Sequence, residues 1–186
     1  MELNYSLTEN DYLQQQLYLA SKSKQIKRQR VRSNIMVGII IIVIMIVMKL
    51  KAYHKNNISL TITSVMVCLI YLWACFFVQK KYYVKIFRKY VNENFTNRFG
   101  VQSKLIFKEE VLDVLTDGVG ISSVNFSNFK NISEIKDYFF IAFKTGENLM
   151  IPKDKIENAE ELRNKLKSIA ENLKIDFISE LDWKWK

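Results

Sequence analysis

Between Ile35 and Val78 the chain carries two apolar runs, Ile35–Met48 and Ile58–Val78, parted by a polar stretch from Lys49 to Asn57. A bilayer core about 30 Å thick needs roughly 20 mostly apolar residues at about 1.5 Å rise each. The second run supplies 21 residues without a charge. The first has 14 and must borrow from its flanks: Asn34 on one side, and Leu50, Ala52 and Tyr53 on the other, with Lys49 snorkelling to the headgroups. The pattern predicts a transmembrane helical hairpin with spans at about 34–53 and 58–78. A link this short leaves little room for an outer domain. A cleaved secretory signal is the competing reading of the first run. Its charged leader is too long, and no small-x-small cleavage pattern follows, so the run reads as a retained anchor.

The flanks change period. Leu3, Tyr5 and Leu7 alternate with Asn4 and Ser6, which predicts a short strand able to add an edge to a sheet formed later. Thr8-Glu9-Asn10-Asp11 reads as a helix start, with Leu13, Leu17 and Ala20 as its apolar stripe. With no Pro or Gly before Gly38, one helix is expected from Glu9 into the membrane. After the second span, Tyr83, Phe87, Tyr90 and Val91 keep a helical face to about Asn94, and Arg98-Phe99-Gly100 breaks it. Six short strands follow, at 105–107, 111–115, 120–124, 132–135, 138–143 and 149–151, with turn signals at Lys108-Glu109-Glu110, Asp117-Gly118 and Thr145-Gly146. They predict an antiparallel meander ended by Pro152. Asn158 then caps a helix with Glu161 at its third position and Leu162, Leu166, Ile169, Ala170 and Leu173 on one face. The stretch from Ile175 to Lys186 reads equally as a docked tail or a membrane-touching one. The fold class is α+β in three parts: 1–33, a strand and basic amphipathic helix; 34–98, the hairpin with its helical extension; 99–186, a small β-domain with a covering helix.

A formal charge of +9 raises nucleic acid as a partner until its position is considered. Residues 1–98 hold 15 of the 28 Lys and Arg and only four acids, whereas 99–186 hold 13 basic residues and 15 acids. The excess is juxtamembrane, where each basic residue near an anionic leaflet is worth about 1 kcal/mol. Topology and anionic lipid headgroups account for it, and nucleic acid is not an expected partner. Lys22, Lys24, Lys27, Arg28, Arg30 and Arg32 precede the first span, and Lys80, Lys81, Lys85, Arg88, Lys89 and Arg98 follow the second. Three lysines lie between. The positive-inside rule therefore puts both termini in the cytoplasm.

No residue pattern builds a reactive centre. Cys68 and Cys75 lie seven apart on one helix face, about 10 Å between Cα atoms, too far for a disulfide. The one histidine, His54, falls in the outer link, so no base serves a serine nucleophile. Glu109-Glu110 and Glu160-Glu161 sit in a turn and a helix cap, where solvation and helix-end electrostatics explain them. Gly118-Val119-Gly120 lacks the following Gly-Lys-Ser/Thr of a phosphate loop. No enzyme activity, cofactor or metal is expected.

Two stretches resemble a known family. Tyr5, Leu7, Thr8, Asp11 and Tyr12 ahead of a basic helix are similar to the opening of bacterial YcxB-like membrane proteins. Residues 105–162 resemble their C-terminal domain through the acidic turn Glu109-Glu110, the segment Phe126-Ser127-Asn128-Phe129 leading to Ile132–Glu134, and the junction Ile151-Pro152-Lys153. Phe126 departs from the pattern, standing where such proteins usually carry Trp. The resemblance implies a cytoplasmic domain similar to bacterial pleckstrin-homology domains, a partly closed antiparallel barrel plugged by its C-terminal helix, and brings no catalytic residues.

The expected function is that of a multi-pass protein of the bacterial inner membrane. Its cytoplasmic domain would bind or assemble with another protein or the lipid surface, for instance by strand addition to an exposed sheet edge. Phe126, Phe129, Trp183 and Trp185 are the candidate interface side chains, the tryptophans reading also as local packing. The alternative is an immunity protein, protecting its own cell from a secreted or membrane-active toxin with the hairpin as contact surface. Two helices enclose no pore, so a transport role would demand a homo-oligomer.

Overall fold

A computed structural model of the chain describes residues 1–51, 58–118 and 120–185. His54 and most of the expected polar link, Val119 of the Gly118–Gly120 turn and Lys186 lie outside them, as does the Cys75 side chain. The chain divides into two compact units, one of residues 1–15 and 91–184, the other of 16–90 and 185–186. The fold is mixed α+β.

The first unit contains two sheets. Strand β1 (Glu2–Ser6) pairs antiparallel with β2 (Gln102–Phe107), with Leu3 opposite Leu105 and Tyr5 opposite Ser103. β2 continues through β3 (Val111–Thr116) to β4 (Gly120–Asn125), every neighbour antiparallel. The second sheet has the order β7-β6-β5-β8, from β5 (Phe129–Ile135), β6 (Tyr138–Phe143), β7 (Asn148–Pro152) and β8 (Phe177–Glu180). Gly118 and Gly146 take the left-handed backbone that the β3–β4 and β6–β7 turns require. Period-two burial in β1 (Leu3, Tyr5) and β2 (Leu105, Phe107) faces the same core as Ile132, Phe139, Ile141 and Ile151 from the second sheet.

The expected barrel does not close among the described residues, and the local chemistry shows why. Asn125 Oδ1 accepts a hydrogen bond from the Ser127 N–H at 2.8 Å, turning the chain through Phe126–Asn128. Phe126 N–H donates to Glu110 O at 2.8 Å, so the ladder ends with β4. The edge of β5 away from β6 is taken instead by β8, running parallel with Ile132 opposite Phe177. The predicted six-strand meander is thus two three-stranded meanders, each extended by a distant strand. β8 also shows that residues 177–180 are docked.

Helix α4, Ala159–Leu173, forms as its sequence dictates. (The preceding helices are α1, Glu9–Lys22; α2, Lys24–Lys51; and α3, Ile58–Phe95.) Asn158 Oδ1 accepts from the Glu161 N–H at 3.1 Å, and its amide donates to the Glu161 carboxylate. Leu162 and Leu166 are wholly buried in the core both sheets share, and Ile169 and Ala170 lie beside them.

The single helix expected from Glu9 into the apolar run is interrupted at Ser23. Its hydroxyl accepts from the Ile26 N–H at 3.3 Å and its carbonyl from the Lys27 N–H at 3.1 Å, so Ser23 caps α2 while its own N–H closes the last turn of α1. In the second unit α2 and α3 lie side by side and antiparallel. Tyr71 Oη donates to Asn34 O at 2.5 Å, and Cys68 Sγ lies 4.0 Å from Met45 Sδ. At Gly38 a Cβ would meet the Tyr71 side chain at 3.5–3.8 Å, ordinary contact, so the approach leaves room for a methyl group there and little more. One face of α2, at 30, 34, 38, 41 and 45, is half-buried, and most other positions from 31 to 48 are exposed. Lys24–Leu50 is long and apolar enough to cross a membrane, and Ile62–Ala74 is a shorter apolar helical stretch.

Candidate functional site

The turn after Pro152 places two lysines against two buried carboxylates. Asp11, in the first turn of α1, receives Lys155 Nζ at 2.5 Å, Tyr138 Oη at 2.8 Å, and both the N–H and hydroxyl of Thr8 at 2.7 Å. Lys155 also donates to Ser6 O at 2.8 Å, fastening the end of β1. Burial opposes the charge on Asp11, but the hydrogen bonds from Lys155, Thr8 and Tyr138 outweigh it and hold the carboxyl below its usual value. Burial, and then the Asp11 carboxylate, push the Tyr138 phenol up.

Glu134 is the second hub. It lies on β5 with 2% of its surface exposed, between Lys153 Nζ at 2.5 Å and Arg163 of α4, whose Nε and Nη2 donate at 2.9 and 2.5 Å. Burial again opposes the charge, and Arg163 and Lys153 reverse the balance, so the carboxyl is lowered. Lys153 also stands over the Phe139 ring at 4.6 Å. Neither carboxyl is shifted toward neutrality, as a proton donor working near pH 7 would be. Both hubs act as pins: one ties β1 and α1 to the turn after β7, the other ties α4 to the second sheet.

Sequence reasoning read Asp11 as part of a helix start, named Asp11, Glu134 and Lys153 within the segments that carry the family resemblance without giving them a partner, and passed over Lys155 and Arg163. A signal existed. Glu134 is the one acid within the strand Phe129–Ile135, and such an acid, once buried, needs a cation brought to it from elsewhere.

An accessible part of this unit is β4. It is the outer strand of the first sheet, and all of its residues are exposed except the half-buried Val124. Ile121 is 72% exposed. Its inner neighbour is held by Ser123 Oγ donating to Asp113 at 2.6 Å, with Lys108 on the other carboxylate oxygen at 2.5 Å.

The sequence-predicted residues separate into groups. Phe126 and Phe129 are buried, with ring centroids 5.2 Å apart, and stack on with Phe107 and Phe143, so they pack the core and present no surface. This corrects their assignment to an interface; the corner at Asn125 turns both rings inward. Phe126 fills its place by ring packing alone. Lys22, Lys24, Lys27, Arg28 and Arg32 are exposed on α1 and α2, as are Lys80, Lys81, Lys85, Arg88 and Lys89 on α3. Arg30 differs: its guanidinium stacks on Tyr83 at 5.2 Å and Trp185 at 5.3 Å. Trp185 is buried against Tyr83 and Phe87, whereas Trp183 is half-buried. Among the described residues no group of three or more His, Cys, Asp or Glu side chains could hold a metal ion.

These features define a two-unit α+β protein: a β-unit pinned by buried ion pairs, and a helical unit with an exposed apolar helix. Residues 109–166 match the family model described as YcxB-like protein, from the β2–β3 turn into α4. The match takes in Phe126–Phe129, Glu134, the turn after Pro152 and Arg163. No curated protein and no solved structure matches the chain.

Proposed function

We propose that this is a non-enzymatic protein of the bacterial inner membrane, anchored by α2 and α3 as a two-span hairpin with both termini cytoplasmic. Its β-unit is a pleckstrin-homology-like binding or assembly module. The observation that carries this reading is the contrast between the units. One buries its apolar side chains in a shared core, while the other exposes about half the surface of most large apolar side chains from Ile35 to Met48. In water so large an apolar surface would be covered by association; between basic flanks it suits lipid. The likeness to pleckstrin-homology domains rests on two meanders and a C-terminal helix in one core.

Partner binding by strand addition is supported by β4, whose outer edge pairs with no strand among the described residues and which needs no special side-chain chemistry to receive an extended segment. An in-cell crosslinking pull-down tests it, with the full chain, a chain lacking residues 99–186, and proline substitutions at Ile121, Ser122, Ser123 and Val124. The reading predicts a specific partner that is lost on truncation and with proline on the outward-facing N–H groups. A partner that survives every proline overturns strand addition. One retained by the hairpin alone favours self-protection, with the helices as the contact surface.

A further inference from the structure

Along the flank of α2, beside the face that carries Asn34 and Gly38, runs an open groove of about 370 Å³, lined by Lys27, Arg28, Val31, Arg32, Ile35 and Met36. Lys27 and Arg28 stand at its N-terminal end and Arg32 one residue past Val31, all three lining it mainly through their aliphatic stems, and its floor continues into the apolar run. Lys27, Val31 and Ile35 are four residues apart in turn, as are Arg28, Arg32 and Met36, so two adjacent helical rows each pass from charge to hydrocarbon. From Lys27 to Met36 the axis rises roughly 13 Å. That spans a headgroup layer, of order 5–8 Å, and the first part of an acyl chain.

The charge around the groove is uncompensated from within. Residues 16–90 and 185–186, the whole unit to which α2 belongs, contain no Asp or Glu, against 15 Lys and Arg. Lys27, Arg28 and Arg32 make no side-chain ion pair among the described residues. A partner for this groove must therefore bring negative charge at one end and an apolar chain at the other.

We infer that the groove of Lys27, Arg28 and Arg32 over Val31, Ile35 and Met36 is a binding site for one anionic phospholipid. The phosphate lies among the three cations and an acyl chain lies along the apolar floor. The inference rests on the membrane reading of α2. It differs from diffuse attraction of a basic segment to a charged leaflet, because it requires the floor as well as the charges, and these cations rather than equal charge elsewhere.

The test is native mass spectrometry of the full chain in detergent micelles doped with phosphatidylglycerol or phosphatidylcholine, after carbonate extraction of the membranes it was expressed in. The site predicts one retained phosphatidylglycerol and no retained phosphatidylcholine. Replacing Lys27, Arg28 and Arg32 with Gln should lower phosphatidylglycerol retention roughly tenfold or more. Replacing Lys80, Lys81 and Lys85 with Gln, an equal loss of charge, should leave it within about twofold. Because the three cations of the groove also help set topology, a second variant keeps them: V31A/I35A/M36A should weaken retention with the charge unchanged. Equal losses in the two Gln variants, or full retention in the Ala variant, would overturn the site and leave ordinary surface attraction. A chain released by carbonate would overturn the membrane reading itself, whereas a carbonate-resistant chain with no lipid preference would overturn only the site.

Discussion

Glu134 shows how far a single side chain can constrain the β-unit. It sits near the C-terminal end of β5, two residues after wholly buried Ile132, and its charge is met by Lys153 from the turn after β7 and by Arg163 from α4. Removing the charge would leave two cations facing a neutral group, while their own partial exposure lets them recover some hydration. Glu134→Gln should cost about 3 kcal/mol, the low end for breaking a buried pair, measured as a shift in the denaturant midpoint of the full chain in detergent. The pH dependence follows from the same groups. Asp11 and Glu134 are both lowered from ordinary values of 3.8 and 4.5. Below those values the unfolded chain takes up protons that the folded carboxylates resist, so this part of the stability is complete above about pH 5 and is lost as the pH falls through the depressed folded values. Thermal unfolding should show a steep acid limb that flattens in Glu134→Gln and Asp11→Asn. An unchanged limb in both variants would mean that the hubs are not ionised as described. These residues were hard to find in the sequence because an ion pair between positions 11 and 155, or 134 and 163, leaves no local period. Only the oddity of an acid inside an apolar strand pointed to one end of a pair.

Elements were more legible, since each leaves a local pattern. The period-two strands, the Asn158–Glu161 cap and the Leu162–Leu166–Ile169 stripe all occur where their spacing puts them. What the pattern could not give was sheet partnership. Nothing in residues 105–151 says that the ladder stops at Asn125, and nothing in Phe177–Glu180 says that it completes the edge of β5 in parallel. The break at Ser23 escaped for a different reason: a serine that caps one helix while ending another costs little and needs neither Pro nor Gly. Between α2 and α3 the antiparallel approach makes a direct prediction. With Cys75 changed to Ser, Met45→Cys should crosslink to Cys68 under mild oxidation, because the two side chains already meet. Val43→Cys, on the exposed side of α2, should not. The reverse result would place the helices on other faces. Gly38→Leu should reduce the Met45→Cys crosslink by driving Tyr71 away, whereas Gly38→Ala should preserve it.

At the scale of the whole molecule, charge divides as the units do. The helical unit carries only positive side-chain charge, and the acids are gathered with the β-unit. This division was readable from composition, and it turned the overall charge of +9 from a sign of nucleic acid into one of membrane topology. No partner is readable from the sequence, because the proposed strand addition would use backbone groups that every sequence supplies. The measurement that bears most directly on the proposed membrane anchor is thiol labelling with a membrane-impermeant reagent. It uses chains freed of Cys68 and Cys75 and given one cysteine, either Ser123→Cys on β4 or Asn56→Cys in the link between the apolar runs. The account predicts that Asn56→Cys is labelled in intact cells and Ser123→Cys only after permeabilisation. Labelling of Ser123→Cys in intact cells, or protection of both sites until permeabilisation, would contradict the hairpin and the side on which its β-unit works.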